Sequence, residues 1–139
     1  RKEVVAIRPA ALARGKNEAE LYRIDRSAPL CTTPLVCDGL LFLWSDDGIV
    51  TCVDVRTGKL HWRERVGGTF YTSPTCVNNH LYCISAEGDM VVLAAAKKFE
   101  RVARFPLGEG SHSTPAVTNG TMFVRKFSQL FSIGGGRSQ

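Results

Sequence analysis

The chain has 139 residues, of which 44% are hydrophobic and 22% charged, and its net charge is +5. This composition is typical of a folded globular domain and excludes an intrinsically disordered chain. No apolar run approaches the roughly 18 residues that a membrane-spanning helix requires, and no segment has the pattern of a signal peptide.

Residues 1–30 predict the second half of a four-stranded unit. An apolar run at residues 2–8 is typical of a third strand, and the alternating run at residues 20–25 predicts a fourth strand. A connection spans residues 9–17, and a short helix starting at Ala10 is the alternative within it. The chain thus begins with an incomplete sheet.

Residues 31–70 predict a complete four-stranded antiparallel meander. Four short apolar runs are separated by turn signals at Asp38-Gly39, Asp47-Gly48 and Thr57-Gly58. Glycine adopts positive φ without strain and aspartate tolerates it, as a two-residue hairpin turn requires.

The meander recurs with a period of 40 and 41 residues, measured between Pro34, Pro74 and Pro115. Residues 71–111 form a second complete unit, in which the third turn has degenerated and Val102 takes the place of Trp62. Packing beside Val102 is therefore expected to be looser. Residues 112–133 supply three strands, and residues 134–139 predict a flexible tail.

A repeat of this length is typical of propellers and solenoids. Small antiparallel sheets with two apolar faces are stable when they stack face to face around an axis. The sequence predicts an all-β fold, a β-propeller segment of about three to three and a half four-stranded antiparallel blades.

A pair of hydroxyl residues precedes each repeat proline. In a propeller these pairs lie on the inner strands and are candidates for the channel lining, with water contact and strand capping as the simpler roles. The pairs are Thr32 and Thr33, Thr72 and Ser73, and Ser113 and Thr114.

The five cysteines are an odd number, so at least one cannot pair within the chain. Cys76 and Cys83 are not cross-strand partners in the predicted hairpin, and no cysteine and histidine set has zinc spacing. The interpretation is that the cysteines are small apolar side chains buried between sheets.

Arginines recur on the predicted fourth strands, which a blade places at the outer rim. There they are expected to be solvated and to guard a free sheet edge. Nucleic acid is therefore not expected as a partner, and a polyanion-binding surface is the last of three functional hypotheses. These arginines are Arg23, Arg26, Arg63, Arg65, Arg101 and Arg104.

The segment from Cys52 to Trp62 resembles the tryptophan-docking motif of PQQ-like, or quinoprotein-type, β-propeller repeats, with cysteine in place of alanine. The residues that carry the resemblance are Asp54, Thr57, Gly58, Lys59 and Trp62. Aspartate can bind backbone amides at its turn, glycine supplies positive φ, and the indole can cover the adjacent sheet.

The resemblance implies a non-catalytic scaffold that binds a protein or small ligand, outside the cytoplasm, in the periplasm or secreted. No catalytic residue, cofactor or metal ligand is assigned. The alternative is a segment of a PQQ-dependent dehydrogenase whose PQQ and Ca²⁺ site lies in other blades. The expected partners are a protein, the remaining blades of a longer chain, or a second copy that completes the ring.

Overall fold

The computed structural model describes residues 2–134, which form β-strands with two short helical segments between the first two strands. The helical segments are a 3₁₀ helix (Pro9–Arg14) and α1 (Lys16–Ala19). The strands are β1 (Val4–Ile7), β2 (Glu20–Ile24), β3 (Leu35–Cys37), β4 (Leu40–Trp44), β5 (Ile49–Asp54), β6 (Leu60–Arg65), β7 (Thr75–Val77), β8 (His80–Ile84), β9 (Asp89–Ala94), β10 (Arg101–Pro106), β11 (Ala116–Thr118), β12 (Thr121–Arg125) and β13 (Leu130–Gly134).

These strands form four antiparallel sheets, each made of strands consecutive in the chain. In chain order the sheets are β1-β2, β3-β4-β5-β6, β7-β8-β9-β10 and β11-β12-β13, and we call them blades 1 to 4. Blades 2 and 3 have four strands each, as the repeat predicts. The all-β prediction is confirmed.

The blades stack face to face, because side chains alternate between the two faces of each strand. On β4, Leu41 and Leu43 pack against Ile24 of blade 1, whereas Phe42 and Trp44 pack against blade 3. A third apolar cluster joins blades 3 and 4. We call these interfaces the first, second and third seams.

The first turn of each repeat is the predicted two-residue hairpin. Asp38 and Gly39 have φ of 49° and 74°. Asn78-Asn79 and Asn119-Gly120 likewise have positive φ at both positions. Three different residue pairs therefore meet one backbone requirement.

The second turn differs from the prediction. At Asp47-Gly48 only the glycine has positive φ, 73°, and the Gly48 N–H donates to the Ser45 carbonyl at 3.1 Å. The turn is therefore a longer loop closed by its glycine, and Gly88 and Ser85 repeat the arrangement in blade 3.

Two predictions near the ends of the chain, a short helix and a flexible tail, can be compared with the structure. Ala10 to Ala13 lie within the 3₁₀ helix, so the helical alternative is confirmed. Strand β13 continues through Gly134, and residues 135–139 of the expected tail lie outside the described residues.

The outward faces of the first and last blades carry exposed apolar side chains. Val5, Ile7 and Leu21 are 36%, 47% and 45% exposed on blade 1, and Phe123 and Leu130 are 39% and 71% exposed on blade 4. Within residues 2–134 no helix has the length and apolarity needed to cross a membrane.

Candidate functional site

The third turn of blade 2 is organised by Asp54. Its Oδ1 accepts hydrogen bonds from the backbone N–H of Arg56 at 3.0 Å, and from the backbone N–H and the hydroxyl of Thr57, each at 2.9 Å. The Lys59 N–H donates to the Thr57 hydroxyl at 3.3 Å. The Thr57 bonds favour the ionised carboxylate and lower the pKa of Asp54.

Trp62 carries the docking contact of the second seam. Its Nε1–H donates to the Ala96 carbonyl of blade 3 at 2.9 Å. Its ring lies 6.0 Å from that of Phe42 and 5.2 Å from that of Phe99, and the side chain is buried. The indole thus joins two blades through both packing and a hydrogen bond.

Tyr22 makes the corresponding contact in the first seam. Its hydroxyl donates to the Val55 carbonyl at 2.8 Å, and its ring lies over Gly58. Burial, followed by the charge of Asp54, raises the pKa of Tyr22. The motif is therefore used from both sides: Tyr22 docks onto the third turn of blade 2, and Trp62 of blade 2 docks onto blade 3.

The third seam lacks an aromatic residue at this position. Trp62 is paired with Cys52, and in blade 3 the equivalent Val92 is paired with Ala103 after an irregularity in register. Both blades have the same irregularity, which skips His61 in β6 and Val102 in β10. The prediction that Val102 replaces the tryptophan is wrong, because the third turn of blade 3, residues 95–100, is one residue longer than that of blade 2, residues 55–59, and Val102 takes the place of His61, where it is 46% exposed.

The first hydroxyls of two predicted pairs are buried strand caps. Thr32 donates to the Trp44 carbonyl, and Thr72 donates to the Ile84 carbonyl at 2.7 Å. In blade 4 the cap is Ser111, which donates to the Arg125 carbonyl at 2.6 Å, and Ser113 instead donates its N–H to Ser111. The sequence offset alone did not identify Ser111.

The second hydroxyls connect neighbouring blades. The Thr33 N–H donates to the Ser73 hydroxyl at 2.8 Å, and the Ser73 N–H donates to the Thr114 hydroxyl at 3.0 Å. These bonds form a continuous row across blades 2, 3 and 4. That the row lines a channel stays a prediction.

The cysteines require a correction. Cys37 and Cys76 form a disulfide between the inner strands of blades 2 and 3, rather than lying as separate apolar side chains. Cys37 directly precedes the first turn of its repeat and Cys76 lies two residues before the turn of the next, and the two cysteines are 39 residues apart. The near match of this spacing to the repeat period is the sequence signal that could have revealed the pair.

The other three cysteines are free thiols, of which Cys52 and Cys83 are buried and Cys31 is exposed. Burial raises the pKa of both Cys52 and Cys83 to about 12. Because the thiolate is the reactive form, these two are protected from oxidation and alkylation in the folded chain.

Several rim arginines have acceptors on the surface. Arg23 pairs with Glu3 at 2.5 Å and Glu20 at 2.6 Å, and Arg104 pairs with Asp89 at 2.7 Å. The Arg104 Nη1 also donates to the Val66 carbonyl across the second seam, at 2.7 Å. The arginines therefore form ion pairs within their own blades, and Arg104 also forms a hydrogen bond to the neighbouring blade.

An exposed aromatic cluster lies where the connections between blades meet a second turn. His112 lies between Tyr71 and Phe127, with ring centroids 4.9 Å and 5.0 Å apart. Tyr71 and Phe127 are 43% and 54% exposed. Tyr71 and His112 each stand three residues before a repeat proline, a regularity that sequence reasoning did not use.

In the part of the chain that the structure describes, no group of three or more His, Cys, Asp or Glu side chains is arranged to hold a metal ion.

Replacing Gly58 with alanine is expected to lower the free energy of unfolding by about 2–4 kcal/mol, through strain at positive φ and overpacking. A Cβ at Gly58 would meet the Tyr22 ring at 2.5 Å. Gly108→Ala is the matched control, because Gly108 has φ of +81° and nothing within 4 Å of the added Cβ. Urea denaturation should show a loss of only about 1 kcal/mol for Gly108→Ala. Equal losses would contradict the Tyr22 contact.

Comparison with known proteins agrees with this architecture. A family model described as "Outer membrane protein assembly factor BamB" matches residues 10–101. The BamB of Moranella endobia (strain PCIT) is 25% identical over 104 residues, a match that covers 67% of this chain and 26% of that protein. The chain spans about a quarter or less of the length of the curated relatives it matches.

Solved structures share the fold. The BamB structure from Moraxella catarrhalis superposes with a TM-score of 0.72 at 17% identity, covering 94% of this chain and 39% of that one. The quinohemoprotein alcohol dehydrogenase ADHIIG from Pseudomonas putida HK5 superposes with a TM-score of 0.61 at 13% identity, covering 80% and 24%. At these identities the likeness shows the propeller fold alone.

Proposed function

Because this chain belongs to the PQQ-like repeat family described as outer membrane protein assembly factor BamB, we propose that it is a non-catalytic propeller segment that binds a protein partner during outer-membrane protein assembly. The observation that carries the proposal is the exposed cluster of Tyr71, His112 and Phe127. Aromatic side chains are enriched at protein interfaces and often supply most of the binding energy.

The cluster is suited to this role because backbone hydrogen bonding fixes the segments that carry its side chains relative to each other. The Phe127 N–H donates to the Gly110 carbonyl at 3.1 Å, which ties the second turn of blade 4 to the connection that carries His112. Preorganised side chains lose less conformational entropy when a partner binds.

We further propose a periplasmic location. Disulfides form and persist in oxidising compartments, and the Cys37–Cys76 pair fits such a compartment. The BamB relatives are named as outer membrane protein assembly factors, which agrees with this proposal.

The test uses Tyr71→Ala combined with Phe127→Ala in the full chain. Binding to the detergent-solubilised outer-membrane assembly machinery of the source organism is measured by surface plasmon resonance, and we expect a loss of at least about tenfold in affinity. The matched control is Leu12→Ala with Val102→Ala, which removes apolar side chains that are 48% and 46% exposed outside the cluster. Equal affinity of the cluster variant and the wild-type chain would refute the proposal.

The exposed faces of blades 1 and 4 are proposed to be covered by further blades of a longer chain or by a second copy that completes a ring. Light scattering distinguishes a dimer from a monomer of the 139-residue chain. The dehydrogenase alternative rests on fold likeness alone, and a shifted quinone absorbance after addition of PQQ and Ca²⁺ would support it. A polyanion-binding surface would show affinity that falls steeply with salt.

A further inference from the structure

The third turns of blades 2 and 3 and the equivalent connection of blade 1 lie side by side at one end of the stack. The Tyr22 hydroxyl of blade 1 donates to the Val55 carbonyl in the third turn of blade 2. Trp62 of blade 2 likewise donates to the Ala96 carbonyl in the third turn of blade 3. We call the surface that these three segments form the third-turn end. The segments are residues 8–19, 55–59 and 95–100.

Six exposed cationic side chains lie on the third-turn end, and none of them forms an ion pair with another described residue. By contrast, Arg23, Arg65 and Arg104 on the outer strands are paired with carboxylates. The six cations are Arg8, Arg14, Arg56, Lys59, Lys97 and Lys98. The carboxylates on these segments and on the first turns at the same end are Glu18, Asp38 and Glu100. Positive charge therefore predominates on the third-turn end.

The opposite end of the stack, which consists of the second turns and the connections between blades, has the reverse charge. Its basic side chains are Arg26 and Lys126, and its carboxylates are Asp25, Asp46, Asp47, Glu87 and Glu109. The Tyr71–His112–Phe127 cluster also lies at this opposite end, on two connections and the second turn of blade 4. The charges of the chain are thus separated between the two ends.

We propose that the third-turn end binds a bilayer surface that contains anionic phospholipid. Each cation close to such a surface strengthens binding, and cations spread over three blades contact several headgroups at once. Leu60 directly follows Lys59 and is 48% exposed, so it adds an apolar side chain that enters the headgroup boundary. Nucleic acid fits this end less well, because Phe99 packs against Trp62 and is not free to stack on a base.

This contact goes beyond the proposed function and is compatible with it. When the third-turn end lies on the bilayer, the Tyr71–His112–Phe127 cluster at the opposite end faces away from the lipid. The same propeller segment then binds a protein partner and a membrane surface at the same time, through different side chains.

Sedimentation of the full chain with lipid vesicles tests the proposal. We expect binding to phosphatidylcholine vesicles that contain about 30% phosphatidylglycerol, and at least about tenfold weaker binding to phosphatidylcholine alone. Binding to the anionic vesicles should fall about tenfold or more between about 20 and about 200 mM NaCl, because salt screens exposed charges.

Lys97→Gln combined with Lys98→Gln should weaken binding to the anionic vesicles by at least about tenfold. The matched control is Arg26→Gln combined with Arg65→Gln, which removes the same charge near the opposite end and should stay within about twofold of the wild-type chain. Tyr71→Ala combined with Phe127→Ala should also keep vesicle binding. The test contains no assembly machinery, so its failure is distinguishable from failure of the proposed function.

Three results would overturn the proposal. The first is the absence of binding to the anionic vesicles, and the second is equal binding to both kinds of vesicle. The third is an equal loss in the two arginine and lysine double variants, because net charge and not the third-turn end would then decide binding. If the chain leaves the vesicles unbound and binds duplex DNA, with affinity that Lys97→Gln and Lys98→Gln reduce, the surface belongs to nucleic acid instead.

Discussion

Trp62→Ala is expected to lower the free energy of unfolding by about 3–5 kcal/mol, the range for truncating a large buried aromatic side chain. The indole is 8% exposed, packs between Phe42 and Phe99, and donates to the Ala96 carbonyl. The variant would leave a cavity in the second seam and a carbonyl without its partner. Urea denaturation followed by circular dichroism measures the loss.

Two further variants separate the contributions. Trp62→Phe keeps a ring but removes the hydrogen bond and part of the packing, so an intermediate loss is expected. Val102→Ala, at the position 40 residues after Trp62, should change stability by less than about 0.5 kcal/mol, because Val102 is 46% exposed. A loss in Trp62→Ala no larger than that of Val102→Ala would mean that the indole does not hold the seam.

Reduction of the Cys37–Cys76 disulfide is expected to lower the free energy of unfolding by about 4 kcal/mol. The bridge closes a loop of 39 residues, and chain entropy predicts a stabilisation of this size for a loop of roughly this length. The urea midpoint should therefore fall when a reductant is added. The disulfide spans the same seam as Trp62, so the two effects are expected to be coupled rather than additive.

The cysteine variants provide the controls for this prediction. Cys37→Ser combined with Cys76→Ser should be insensitive to reductant and should match the reduced wild-type chain. Cys31→Ser should keep the full response, because Cys31 is an exposed free thiol. A reductant response in the double variant, or none in the wild-type chain, would contradict the assigned pairing. Alkylation of the folded oxidised chain should label Cys31 and spare buried Cys52 and Cys83.

The features that let the blades stack could be predicted from the sequence, because each depends on residues close together in the chain. Positive φ at Asp38-Gly39 and its equivalents is a property of the turn residues themselves, and alternation along β4 assigns Leu41 and Phe42 to opposite faces. Asp54 could be placed at its turn for the same reason, since the groups that donate hydrogen bonds to its carboxylate lie within three residues of it.

Contacts between blades were harder to infer, since they depend on register and on which side chains meet. One additional residue in the third turn of blade 3 moves Ala103 into the row that Trp62 occupies in blade 2 and leaves Val102 exposed to solvent. The offset of 40 residues carried no sign of this additional residue.

The sequence by itself determined the period, the first turn of each repeat and the four-sheet order, because each is set by backbone preferences and side-chain alternation within a single repeat. Only the tertiary structure decided the Cys37–Cys76 bridge and the Tyr71–His112–Phe127 cluster. Each of these joins residues of two blades, and their meeting depends on how the sheets are rotated and shifted against each other.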